Sequence, residues 1–237
     1  MTFSLIFIIS LFCYSASFSQ GYKVSILGIK IAHVEQEILN NEIKYLVKSE
    51  AILDLFYPLN NKYLTSYDST DYSITSFNKV ISENSNNTDL EAKVDSSGNL
   101  IYDGKHIINL PSKTKNIFLL LKMIQKEPYQ NVDTKWYNYE HEGKIGKARF
   151  VWADSSNIWN GKDSVLCDHY RLDIKLNEPS EDLYTETDYF MKNIFIESLT
   201  REIWVSKEGP KQIILASFKS DLFPFPLLAE IKESSKK

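Results

Sequence analysis

Apolar and polar residues alternate along most of the chain after residue 20. Tyr22, Val24 and Ile26 fall on even positions with Lys23 and Ser25 between them, and near Gly28 the phase changes to Leu27, Ile29 and Ile31. A phase change at a glycine inside a strand predicts a β-bulge. The run continues through Val34 and Ile38 to Asn40 and Asn41, a pair that tolerates positive φ and suits a tight turn. Ile43, Tyr45, Val47 and Ala51 then alternate with Lys44, Lys48 and Glu50, the period of a half-buried strand. The two runs read as an opening hairpin. Further strands are expected over residues 63–67, 72–81 and 90–94. Asp103 and Gly104, between two apolar triplets, are a two-residue hairpin signal. Residues 82–89 are polar throughout and read as a loop; the sequon at Asn86 carries little weight in a chain that reads as bacterial.

One segment has a different period. Ile117, Leu120, Leu121 and Ile124 recur at helical spacing, and Phe118, Leu119 and Met123 widen the stripe. This predicts a helix between Pro111 and Pro128. Ser112 and Thr114 are its N-cap candidates, and Lys122 and Lys126 suit its C-terminal dipole. A helix this apolar needs cover, and in a β protein the cover is the concave face of the sheet.

Strand patterns resume in the second half. Residues 136–139 and 145–152 flank a turn at Glu142 and Gly143, with Gly146, Ala148, Phe150 and Trp152 on one face. Tyr139, Glu140, His141 and Glu142 lead straight into that turn and are expected to be exposed. In 165–176, Tyr170, Leu172, Ile174 and Leu176 share the apolar side, while Cys167, His169, Arg171, Asp173 and Lys175 share the other. Residues 177–188 form an acidic loop, 189–196 fit helix and strand equally, and strands close the chain over 201–207, 212–218 and 227–231. No repeat and no Pro-, Gly- or Ser-rich linker divides the chain. The expected fold is mainly β: a single antiparallel curved sheet or partly open β-barrel, with one apolar helix packed on the concave face.

Residues 3–14 carry an uncharged apolar run, too short to span a bilayer comfortably, and Ser17 and Ser19 fit the small-x-small rule of a signal-peptidase site. We read residues 1–19 as a signal peptide and residues 20–237 as a single β-rich domain. Phe12 is too bulky for a lipoprotein site at Cys13. Cys167 is then the single thiol left, read as a small buried hydrophobe rather than a reactive or metal-bound group.

Composition narrows the function classes. The 237 residues include 4 Trp, 14 Tyr and 13 Phe, enough to fill a core, which excludes disorder of the whole chain. Two cysteines cannot make a disulfide framework, and a net charge of -4 argues against nucleic acid as the main partner. His33, Glu35 and Glu37 share a strand face that could hold a divalent cation, but a solvated face is the plainer reading. The acidic loop lacks the spacing and central glycine of a calcium loop. Cys167, His169 and Asp173 project in parallel from one strand, a poor geometry for a triad. Nucleophile elbows, phosphate loops and dinucleotide fingerprints are absent. No enzymatic activity, cofactor or metal is expected.

Leu27, Gly28 and Ile29 after an aromatic-led strand, the 111–128 helix, Gly161 followed by Cys167, and Trp204 before a Pro210 turn together resemble an exported bacterial family. That family is the domain of unknown function numbered three thousand one hundred and eight. The resemblance covers most of residues 22–233 and departs from the family over 177–188 and around Glu208, Gly209 and Pro210. It implies export and no established activity. It also implies a fold similar to the partly open barrels of lipoprotein-localisation factors, which bind acyl chains inside a concave sheet plugged by a helix.

The expected function is binding of an apolar ligand, such as a lipid chain, on the concave face. Leu120, Leu121, Phe150 and Trp152 would line the site. Two alternatives stand beside it: an envelope interaction or scaffold protein using exposed strand edges or the acidic loop, and a hydrolase using Cys167, His169 and Asp173. The expected partners are a hydrophobic small molecule or lipid, or an envelope protein, and not nucleic acid. After cleavage the chain would not be an integral membrane protein, and its expected location is the periplasm or outer envelope of a Gram-negative bacterium. N-terminal sequencing of the secreted product should begin at Gln20 or Gly21; intact Met1 in a membrane fraction would overturn export with cleavage.

Overall fold

The computed structural model describes residues 18–84, 86–177, 187–220 and 225–232. The apolar run over 3–14 and residues 178–186 of the acidic segment lie outside the described residues. Antiparallel neighbours follow one another through β1 (Phe18–Ile26), β2 (Ile29–Leu39), β3 (Glu42–Ser49) and β4 (Asn60–Asp68). The run continues through β5 (Ser73–Glu83), β6 (Asn86–Val94), β7 (Asn99–Tyr102) and β8 (His106–Asn109). A second run joins β9 (Trp136–His141), β10 (Lys144–Trp159), β11 (Ser164–Leu176), β12 (Thr200–Ser206), β13 (Ile213–Lys219) and β14 (Leu227–Ile231). β14 pairs with β1, Tyr22 lying opposite Ile231. The described strands thus form one 14-stranded curved antiparallel sheet whose free edges are β8 and β9. This is the expected mainly β class.

The helices are α1 (Ala51–Phe56), α2 (Ile117–Ile124), α3 (Tyr129–Val132) and α4 (Tyr189–Ile194). α2 is the expected apolar helix, and seven of its eight residues are buried. Its cap is neither Ser112 nor Thr114. Asn116 holds extended backbone and its side-chain oxygen accepts from the Leu119 amide at 3.1 Å, while its amide nitrogen donates to Thr65 Oγ1 at 3.0 Å. One side chain therefore starts the helix and ties it to β4. The ambiguous stretch after residue 188 is helical in α4, capped by Asp188.

Two turn assignments change. Gly28 is not a bulge. Leu27 (φ 52°) and Gly28 (φ 76°) form a two-residue turn between β1 and β2, with Ile26 opposite Ile29. The apolar phase changes there because the chain reverses; the register shift in this hairpin falls instead at Ile31, where pairing steps from Ser25 with Lys30 to Val24 with Ala32. The polar 82–89 stretch is not a loop either, because Ser82 and Glu83 pair with Asn87 and Asn86 in a β5–β6 hairpin. Asn84 takes φ 52°, which its short polar side chain tolerates.

Period-2 alternation places Tyr63, Thr65 and Tyr67 of β4 and Phe77, Lys79, Ile81 and Glu83 of β5 on the buried side. Phe118 of α2 fills the space they enclose. Its ring lies 5.0 Å from Tyr45, 5.1 Å from Tyr63 and 6.1 Å from Phe77. Phe150 and Tyr170, from β10 and β11, make an edge-to-face pair at 5.9 Å in the same core. Gly146 on β10 permits the close approach of β11, since a Cβ there would stand 2.2 Å from the Lys175 carbonyl oxygen and 2.7 Å from Leu176 Cα.

Leu120→Ala should destabilise by about 2–5 kcal/mol in urea unfolding, the range for a buried leucine truncation. Gly146→Ala should also lower the midpoint, because backbone rather than a flexible side chain must give way. A folded Leu120→Asp protein with unchanged melting would put α2 outside the core.

Candidate functional site

The four residues expected to line a ligand site all lie in or against the core. Leu120 and Phe150 are fully buried, and Leu121 and Trp152 are half-buried against the same core. The Trp152 ring stacks on Tyr129 at 5.0 Å, and its indole N–H donates to Asp168 at 3.1 Å. The space on the concave side is taken by the side chains of α2, joined by α4. Phe190 of α4 packs 6.3 Å from Phe118, 6.4 Å from Tyr63 and 6.3 Å from Phe218.

Polar contacts hold α4 in that position. Asp188 Oδ1 accepts from Tyr63 OH at 2.7 Å and from the Met191 amide at 3.0 Å, and its Oδ2 faces Lys79 Nζ at 3.3 Å. Lys79, 1% exposed on the inward side of β5, also pairs with Glu142 and donates to Thr187 Oγ1 at 2.6 Å. Beside them, Glu83 accepts from Asn61 at 2.6 Å, from Tyr57 OH at 3.2 Å and from the Tyr189 amide at 3.4 Å. At the other end of α4, the buried Arg201 guanidinium donates to the carbonyls of Ile194, Ile196 and Leu199. A cation bonding the carbonyls that end a helix complements its dipole.

The turn expected to be exposed is part of this cluster. Tyr139, Glu140, His141 and Glu142 are all buried. Glu140 accepts from Tyr102 OH and from the Gly143 amide. Burial, which outweighs these bonds, pushes its carboxyl up to about 7. His141 Nε2 faces the Met191 carbonyl at 2.8 Å and its Nδ1 faces Tyr139 OH at 3.2 Å. A carbonyl can only accept, so Nε2 carries the proton. Burial lowers the imidazole to about 4, and it is neutral at physiological pH. Sequence reasoning missed the cluster because its members lie 63 and 109 positions apart.

The other residues considered for chemistry are dispersed. Cys167 is fully buried, and desolvation pushes its thiol up to about 11, so it stays protonated at neutral pH. His169 stacks on Trp204 at 4.2 Å between Asp154 and Glu202, and Asp173 pairs with Arg149 and Arg171. His33 Nδ1 lies 2.7 Å from Glu50. Among the described residues no group of three or more His, Cys, Asp or Glu side chains is placed to hold a metal ion.

A surface cleft of about 430 Å³ lies between the β4–β5 turn, the connection that follows β8, and β9, the strand at one free edge of the sheet. Residues 111–116 cross the break between β8 and β9 on their way into the interior. Lys115 bridges Tyr139 of β9, and the Thr114 carbonyl accepts from the Ile74 amide at 2.9 Å. Tyr72, Trp136 and Tyr137 line the cleft, with Met123 of α2 among its lining residues.

No protein-family model matches the chain, and no curated protein matches it in sequence. Among solved structures, the chain is similar to a beta-barrel-like protein of domain of unknown function DUF1849 from Brucella abortus. The TM-score is 0.51 at 8% identity, over 90% of this chain and 95% of that one. That likeness is one of fold. No helix among the described residues is long and apolar enough to cross a membrane.

The buried titrations have opposite signs. Glu140, raised from 4.5 to about 7, removes stability as pH rises through that window. His141, lowered from 6.5 to about 4, removes stability as pH falls through its own. Glu140→Gln keeps an acceptor for Tyr102 and Gly143. Its melting temperature should match the native protein near pH 4.5 and exceed it progressively up to pH 8; a gap independent of pH would refute the raised carboxyl.

Proposed function

We propose that the chain is an exported envelope protein that binds an apolar chain, such as the acyl chain of a lipid, inside its β wall. The observation that carries this reading is the seat of Phe190. α4 covers an aromatic interior with one ring and is held by polar anchors at both ends, Asp188 on Lys79 and Tyr63, and Arg201 on the terminal carbonyls. A short helix held in this way can exchange places with a ligand that fills the same apolar seat. The ligand shifts that equilibrium by its preference for the open state.

Two further points support the reading. The resemblance to the exported family implies a lipoprotein-localisation type of fold, and the apolar run over 3–14 fits export. The alternative, an envelope interaction protein, has an observation of its own in α1, where Leu55 and Phe56 are 79% and 77% exposed.

Titration with a fluorescent fatty acid tests the first reading. The native chain should bind saturably. Phe190→Ala should bind at least about tenfold more tightly, because the closed state that competes with the ligand is weakened. Absence of binding in both proteins, with circular dichroism showing both folded, would overturn it.

A further inference from the structure

The seam cleft has its own chemistry, separate from the apolar interior. Its three aromatic rings come from two distant segments, Tyr72 from the β4–β5 turn and Trp136 and Tyr137 from β9. The protein backs each ring. Tyr67 stacks on Tyr72 at 6.1 Å, the Arg149 guanidinium lies 4.6 Å from the Trp136 centroid, and Lys115 Nζ lies 5.4 Å from that of Tyr137. Each contact holds its ring in place, and Lys115 itself lines the cleft beside Tyr137. Trp136 is 41% exposed.

The charges in the cleft are balanced and largely engaged. Asp71 and Glu127 face Lys113 and Lys115 across it. Glu127 accepts from Tyr72 OH at 3.2 Å and from Asn131 at 3.1 Å. Lys115 Nζ donates to the Lys113 carbonyl at 3.0 Å as well as lying over Tyr137. With two carboxylates and two ammonium groups, the lining has no net charge that would select a phosphate or an ammonium ligand. The cations already over two of the rings also weaken their attraction for a further cation. Asn131 and Asn138 use their N–H groups on Glu127 and on the Ser112 carbonyl, and each has an amide oxygen that can accept from a hydroxyl.

We infer that the seam cleft is a binding site for a neutral saccharide. A pyranose ring presents apolar C–H faces and a rim of hydroxyls. Tyr72, Trp136 and Tyr137 match the faces, and the amides and carboxylates match the rim. The volume of about 430 Å³ lies within the usual span of small-molecule sites and has room for a short saccharide. The site is independent of any acyl chain in the interior.

The test uses the full chain and a panel of neutral mono- and disaccharides of glucose, galactose, mannose and N-acetylglucosamine. Saturation-transfer NMR screens the panel, and tryptophan fluorescence titrates each sugar up to about 10 mM, above the weak millimolar range. At least one neutral sugar should bind saturably. Trp136→Ala should weaken it at least about tenfold, Trp136→Phe should restore most of the affinity, and Trp159→Ala, an exposed tryptophan on another strand, should change nothing. Melting temperatures establish that each variant is folded. Three results would overturn the inference: no panel member binding the native chain, binding unchanged in Trp136→Ala, or glucose 6-phosphate binding more tightly than glucose in a salt-dependent way.

Discussion

The pairing of β1 with β14 decides where this sheet is broken. Because the first and last strands join, and every other strand pairs with its sequence neighbour, the break falls in mid-chain, between β8 and β9. The inward face of the curved wall is apolar and cannot be left empty. The connection across the break is the part of the chain free to enter, and it carries the most apolar helix. α2 is thus both plug and seam. Phe118 lies in the core and Met123 reaches the cleft on the outside. One topological choice puts the filled interior and the open cleft on either side of the same eight residues.

The buried ions constrain the fold differently. Taking Lys79, Glu142 and Asp188 out of water costs several kcal/mol per ion, and the pairing recovers this only when the remaining donors and acceptors are met. Here they are met by Tyr63 of β4, by Thr187 just before α4 and by the Met191 amide of α4. Such a cluster adds little net stability over a well-packed apolar one, but an incorrect placement of α4 would strand a charge. Arg201 at the far end adds the same penalty. Polar anchors therefore set the position of a helix whose apolar contacts alone would admit several.

What could be read from the sequence follows from the range of the interactions. Alternation and helical periodicity are local, so the strands, the hairpin at Asp103 and Gly104 and the α2 stripe were legible, although Lys105 joins that loop, which has three residues between Tyr102 and its partner His106. Gly28 was misread because a phase change looks the same at a bulge and at a reversal; the pairing of Ile26 with Ile29 distinguishes them. The cap of α2 was misplaced because Asn116 is favoured by its bond to Thr65, 51 residues away. Glu140, His141 and Glu142 look like the exposed shoulders of a turn, and their burial depends on β5, β7 and α4 meeting there. The interior residues Leu120 and Phe150 were found by pattern, yet pattern could not tell a lined cavity from a filled one. The cleft was illegible, since Tyr72 and Trp136 come from opposite sides of the break.

Energetics bound what an interior ligand must be. Phe190 is half-buried against the core, so withdrawing it forfeits less than the ~3–5 kcal/mol of a fully buried phenylalanine truncation. The departure of Asp188 leaves Tyr63 OH without its acceptor, about 1–3 kcal/mol more, while Lys79 keeps Glu142. A methylene buried from water returns about 0.8 kcal/mol. These losses, together with those of the contacts that Arg201, His141 and Glu83 make to α4, set the number of methylenes a displacing chain would need to bury before any net binding is gained. On the proposed reading, the shortest acids would therefore be disfavoured against long-chain acyl groups. On that reading, a lid anchored in this way would select for chain length without a polar contact to the ligand, because the closed state would set the free energy that each added methylene must offset.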